Sequence, residues 1–285
     1  MQIEDLMSNA SKIVLGTVQF GCQYGINSAG RPNEDEVRHI LQEAANAGIA
    51  KLDTSSAYGD SESVLGNCIP ADANFRIISK YPKTDVSVRE LFMGSLERLK
   101  VKRLYGYLLH TFEVYRVKPS VWDEFIALKQ ECLVEKIGFS IYMPDELELL
   151  VKNNVPFDLL QVPYSVLDRK FELYLPMLKE RGVEIHVRST FLQGLLFMNR
   201  EALPEKLQPL KPYLQQLDAY AQSMKMSVAE VALNHNLQNP AIDGVLMGVD
   251  NQSQLQTNIQ SIRQERIDCK IDVKENFLLN PVNWN

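Results

Sequence analysis

Short apolar, β-branched runs alternate with amphipathic stretches eight times along the 285 residues. KIVLGTVQF (12–20) opens the series with no polar face, the pattern of a strand buried on both sides. Behind it Asn33 is placed to cap a helix, with Glu36 as capping-box partner and Val37, Ile40, Leu41, Ala44 and Ala45 as the apolar stripe; Gly48 ends it. AKLDTS then SESVLGNCI, FRIISKY then VSVRELFMGSLERLK, and YGYLLHTF then SVWDEFIALKQEC repeat the unit. EKIGFSI with DELELLVKNN and FDLLQVPYS with ELYLPMLKERG continue it. VEIHVRSTF with a longer helix from about Gln208 to Lys225, and IDGVLMGV with QSQLQTNIQSI, complete the eight.

Eight strand–helix units, with no Pro/Gly/Ser-rich linker and no break in composition, predict a single (β/α)8 TIM barrel over residues 1–285. A C-terminal tail from Cys269 is expected to pack on the barrel. A doubly wound nucleotide-binding sheet is disfavoured, because the turn after the first strand reads GTVQFGCQYG and lacks GxGxxG spacing. SVAEVALNHNLQNP, with Ser227 and Glu230 as a capping box, reads as an additional helix before the last strand.

Thirty Lys and Arg against 36 Asp and Glu give a formal charge of −6. The global basic footprint of nucleic-acid or anionic-membrane binders is missing, which favours a small-molecule role. MQIEDLMSNASK is acidic, without an apolar run of signal-peptide length, and no segment reaches about 18 uninterrupted apolar residues. The expectation is a cytoplasmic protein that does not span a membrane. Cys22, Cys68, Cys132 and Cys269 form no CxxC pair, which fits neither a zinc site nor a disulfide framework. Oligomeric state is left open.

In such a barrel the reactive groups stand at the C-terminal strand ends and in the loops behind them. Asp53 closes the second strand in LDTSSAYG, Tyr58 lies in the following loop, Lys80 closes the third strand in ISKYP and His110 the fourth in LLHTF. Singly, each reads as a helix cap, rim packing, a solvated strand end or a core histidine. Jointly they bring an acid, a phenol, an amine and an imidazole to one mouth, and Lys and Asp resist burial unless paired. A free phenol has a pKa of about 10 and seldom exchanges its proton near neutral pH. The expectation is that the Lys80 ammonium lowers that value, that Asp53 holds the ammonium charged, and that a neutral His110 polarises a carbonyl oxygen beside Tyr58. Protonating an oxygen as negative charge develops on it is what carbonyl reduction by a hydride donor requires.

These stretches, with LGTVQFG, GFS, LQVPYS, STFLQGLL and GVLMGVDNQSQLQTNI, run in order over nearly the whole chain and are similar to those of aldo-keto reductases. The resemblance implies Tyr58 as general acid, Lys80 and Asp53 as its tuning pair, and His110 as the group orienting a small-molecule carbonyl substrate. It also implies an extended nicotinamide cofactor: Ser140 and Gln161 at the carboxamide, Thr17 near the reactive end, Ser189 and Phe191 at the pyrophosphate, Asn258 near the adenine. NADPH is the family default, with NADH close behind.

Three departures stand out. Ile141 follows Ser140 where Ser-Asn is common, and Arg188 stands where many members stack an aromatic ring on the nicotinamide. Gly248 and Gln254 occupy positions that are often basic, with Asp250 nearby to repel a 2′-phosphate. Arg188 can stack on the nicotinamide or bind an anionic substrate or phosphate. Two other functions stay open: a barrel that binds cofactor as a non-catalytic subunit, and a non-redox epimerase or lyase using Lys80 or His110. Substrate-facing or rim-packing positions are expected at Tyr24, Arg31, Phe112, Tyr115 and Arg116.

Overall fold

A computed structural model describes residues 10–25 and 30–284. Most of the N-terminal stretch behind the targeting expectation lies outside the described residues, as do residues 26–29 of the loop after the first strand.

Eight parallel strands close into a barrel in sequential order, the last pairing back onto the first. They are β1 (Ile13–Gly16), β2 (Lys51–Asp53), β3 (Arg76–Tyr81), β4 (Leu104–Leu109), β5 (Val134–Ser140), β6 (Leu159–Pro163), β7 (Glu184–Arg188) and β8 (Gly244–Gly248). The main helices are α1 (Glu34–Asn46), α2 (Ser61–Cys68), α3 (Val88–Leu99), α4 (Val121–Gln130), α5 (Pro144–Lys152), α6 (Leu175–Glu180), α7 (Lys211–Met224), α8 (Val228–Leu237) and α9 (Gln252–Gln260). This is the (β/α)8 fold that the alternation predicts, with α8 as the additional helix before β8.

Local chemistry sets the boundaries. β1 stops at Gly16, short of the predicted Phe20; the Thr17 N–H makes the last ladder bond, to Asp53 O at 3.0 Å, and its hydroxyl donates to the same oxygen. Val18–Gly21 then closes a helical turn that buries Phe20. Asn33 does cap α1, its side chain accepting from Glu36 N at 2.9 Å. The Glu36 carboxylate does not complete that box; it accepts from Gln252 N at the start of α9, at 2.6 Å. The box at α8 is complete, with Ser227 and Glu230 each accepting from the other's backbone N–H. α7 begins at Lys211 because Pro209 sits in the 3-10 turn before it and has no N–H to donate.

Val14, Ile78, Tyr105, Leu108 and Leu159 fill the barrel lumen, while outward strand residues such as Ile77, Tyr107, Ile185 and Val187 pack under the helices. Burying each such side chain contributes about 1.5–3 kcal/mol. The tail places Ile271, Val273, Leu278 and Leu279 with Leu214 and Leu217 of α7 and with Leu192 and Leu195 of the loop after β7. Among the described residues, no helix is long and apolar enough to cross a membrane, and no group of His, Cys, Asp or Glu is placed to hold a metal.

Candidate active site

β3 turns Ile77 and Tyr81 toward the helical layer, so the strand's two-residue alternation aims Ile78 and Lys80 into the barrel. Lys80 is fully buried. Its Nζ donates to Asp53 Oδ1 at 2.5 Å and to Thr54 O at 2.8 Å. Asp53 Oδ2 accepts in turn from Gln161 Nε2 at 2.8 Å. Burial pushes the ammonium below the ordinary lysine range and Asp53 opposes the shift.

Above this pair stand Tyr58 and His110, edge to face with ring centroids 5.6 Å apart. The loop carrying Tyr58 is pressed against the turn after β1, where a Cβ on Gly21 would fall 1.8 Å from Tyr58 O. Gly59 repeats the requirement from the other side, with φ +56° and a Cβ that would reach Gly21 O at 2.5 Å. The His110 ring is held by Ser55, whose Oγ lies 3.2 Å from Nδ1 and accepts from Ala57 N at 3.1 Å. In the tautomer where the Ser55 hydroxyl donates to Nδ1, Nε2 carries the ring proton as a donor. Burial, with Lys80 and Arg188 adding, brings the His110 pKa down to about 3, so the imidazole is neutral at physiological pH.

The expectation that Lys80 lowers the Tyr58 pKa is reversed. Burial pushes the phenol up, and the Asp53 carboxylate pushes it further, with Arg188 in opposition. Nζ lies 5.1 Å from the ring centroid and is paired with Asp53, so the two charges of the pair oppose one another at the phenol. Tyr58 is therefore a protonated phenol at neutral pH.

A cavity of about 500 Å³ opens over these groups, within the range of small-ligand sites. Asp53, Tyr58 and His110 line it, and Lys80 supports it from beneath. The nine other residues singled out in the sequence all reach it: Thr17, Ser140, Gln161, Arg188, Ser189, Phe191, Gly248, Gln254 and Asn258. Their polar groups are not equally available. The Thr17 hydroxyl is held by Asp53 O and Ser61, and Gln254 Oε1 accepts from Asp250 N. Ser189, Leu192 and Gln193 all have positive φ, between 46° and 66°, which bends the loop after β7 over the mouth. Arg188 lays its guanidinium 3.8 Å above the Tyr142 ring centroid and donates to Ile141 O at 3.1 Å.

Of the substrate-facing candidates, Tyr24 lines the cavity. Phe112 and Tyr115 are core residues packed with Phe139. Arg31 pairs with Asp60, and Arg116 lies over Phe112 near Glu113 and Asp145. Tyr142, Gln19 and Asn280 line the cavity without having been singled out. For Tyr142 the signal was available, since an aromatic two residues past a strand end stands at the mouth; Asn280 depends on where the tail runs.

Residues 12–270 match the Aldo/keto reductase family. The chain belongs to that family. Membership places it among oxidoreductases that interconvert carbonyls and alcohols. Uncharacterized oxidoreductase YqkF of Bacillus subtilis is 25% identical over 90% of this chain and 89% of its own. L-galactose dehydrogenase of Arabidopsis thaliana is 27% identical over 88% and 85%. Among solved structures, an aldo-keto reductase from Bacillus halodurans in its holo form has the same fold, with TM-score 0.73 and 22% identity over 94% of this chain and 90% of that one.

Proposed function

We propose that this aldo/keto reductase is an NAD(P)H-dependent enzyme that reduces an aldehyde or ketone to an alcohol, with Tyr58 as general acid. The observation that carries the reading is the proton-holding phenol beside a neutral imidazole, at the floor of a cavity and over a sealed Lys80–Asp53 pair. A substrate carbonyl oxygen seated between Tyr58 and His110 receives a hydrogen bond from His110 Nε2 and the proton from the phenol. An alkoxide is a stronger base than a phenolate, so the raised Tyr58 pKa does not prevent transfer and keeps the acid loaded at neutral pH. Lys80 and Asp53 act as positioning residues, fixing a matched charge pair beneath the ring.

The lining suits the family's cofactor. Gln19 Oε1 is a buried acceptor without a protein partner, beside Gly248, where a Cβ would crowd the Gln19 amide at 2.5 Å. Ser140 and Gln161 supply amide-binding groups, and the Ser189–Phe191 backbone and Asn258 extend the polar lining. When bound, a reduced nicotinamide supplies the hydride that the carbonyl carbon accepts. Thr17, Gly248 and Gln254 complete the proposed contacts, with NADPH ahead of NADH by family habit. Fluorescence titration with NADPH and with NADH tests the reading. Saturable binding of either, followed by aldehyde-dependent oxidation, is expected; no binding of either at millimolar concentration overturns it.

A further inference from the structure

One charge in the cavity is not matched by the catalytic set. Asp53 is neutralised by Lys80, and His110 carries no charge at physiological pH. Arg188 differs: its partners are Ile141 O and the Tyr142 ring, and among the described residues no carboxylate lies within ion-pair reach of it. Asp168 feels its charge but is paired with Lys170 at 2.5 Å, and a partly buried cation with no ion pair of its own is unfavourable unless a ligand brings the anion. Its fork of N–H donors matches the two oxygens of a carboxylate, and one of its nitrogens is already oriented by Ile141.

The position of this cation selects which ligand group it meets. Arg188 closes β7 at the mouth where Tyr58 and His110 stand, and its charge acts on both of them. It acts on Tyr24 as well. Tyr142 lies against the guanidinium, and Tyr24 and Tyr58 line the same cavity, so hydroxyl groups stand ready to hydrogen-bond a ligand held there. A carboxylate carried by the molecule that reacts beside Tyr58 and His110 comes within reach of the guanidinium there.

We propose that Arg188 binds the carboxylate of the substrate, and that the enzyme takes carbonyl compounds bearing a carboxylate in preference to neutral carbonyls of the same shape. This rests on the carbonyl-reductase reading of the Tyr58 site. It makes Arg188 a specificity-determining residue.

The test uses para-formylbenzoate and para-nitrobenzaldehyde, which share size and planarity and differ by one negative charge. For each protein the quantity read is kcat/KM for the carboxylate divided by kcat/KM for the nitro compound, so that any loss common to both cancels. Arg188→Met is expected to lower this ratio about 10- to 100-fold, the range for hydrogen bonds to a charged group, chiefly through the KM of formylbenzoate. Arg188→Lys is expected to restore part of it. A ratio equal to that of the unaltered protein overturns the proposal.

Calorimetric titration of the unaltered protein with both compounds separates this inference from the reading beneath it. Tighter binding of formylbenzoate without turnover of either compound leaves the anion site standing and removes the reductase reading. Equal binding of the two removes the anion site, whatever the turnover.

Discussion

Strand β7 carries Glu184, His186 and Arg188 on one face, and the two ends of that face meet different environments. At the lower end Glu184 accepts from Tyr105 at 2.5 Å and His186 at 2.7 Å, pairs with Lys51 at 3.1 Å, and pairs also with Lys136. At the upper end Arg188 faces the cavity with a carbonyl and a ring as partners. The residue types are equally polar; the difference is saturation. A charged group whose neighbours satisfy it holds the barrel shut, whereas one left partly unsatisfied at a mouth is available to a ligand. Tyr58 and His110 belong with the upper end, and Lys80–Asp53 is a saturated pair placed directly beneath them.

Lys80→Met breaks the comparison most severely, because it leaves the Asp53 charge buried with Gln161 as its remaining side-chain partner. A stability loss of about 3–5 kcal/mol is expected by denaturant titration, with carbonyl reduction depressed alongside. A loss below about 1 kcal/mol would show that the pair is not the matched floor described above.

Glu184→Gln sharpens the contrast from the other end. It should cost about 1–3 kcal/mol at neutral pH and leave kcat/KM unchanged, since no lower-end group touches the cavity over Tyr58. Against the opposing effect of burial, His186, Lys136 and Tyr105 hold the Glu184 carboxyl well below the usual carboxylate range. A depressed folded pKa gives stability that is present above the unfolded value of about 4.3 and is lost as pH falls below it. The variant should therefore show a shallower acid limb in pH-dependent unfolding; an unchanged limb would contradict the lower-end role.

The smallest effects concern two buried histidines that are silent at neutral pH. Burial holds His110 at about 3 and His235, stacked on Tyr164, at about 4. Between pH 6.5 and 4 the unfolded chain takes up protons that the fold refuses at both rings, so stability falls as pH falls through that window. His235→Phe keeps the stack and should flatten that slope without altering the pH profile of activity. In the unaltered protein, kcat/KM for reduction should show no inflection near pH 6.5, and a histidine limb there would contradict a neutral His110.

The alternation of apolar runs and amphipathic stretches carried the eightfold architecture, because each strand is buried on both faces and each helix on one. The strand-end rule likewise located Asp53, Tyr58, Lys80 and His110. What was illegible followed from tertiary contact. The chain leaves the strand pattern after Thr17, where Val18–Gly21 forms a helical turn that buries Phe20. Glu36 leaves its capping box for α9. The direction of the Tyr58 pKa depends on burial and on the balance between the Asp53 and Arg188 charges, and neither can be read from spacing. Phe112 and Tyr115 look like mouth aromatics until Phe139 is seen to bury them.

The decisive measurement is a single turnover: protein loaded with the nicotinamide that binds, mixed with aldehyde, and followed by loss of nicotinamide absorbance, in parallel with Tyr58→Phe. With Tyr58 as the proton donor, the variant should bind cofactor as the unaltered protein does and reduce the aldehyde about 10²- to 10⁴-fold more slowly. Equal rates in the two proteins would mean that the proton comes from elsewhere and that the Tyr58–His110 site is not where the carbonyl reacts.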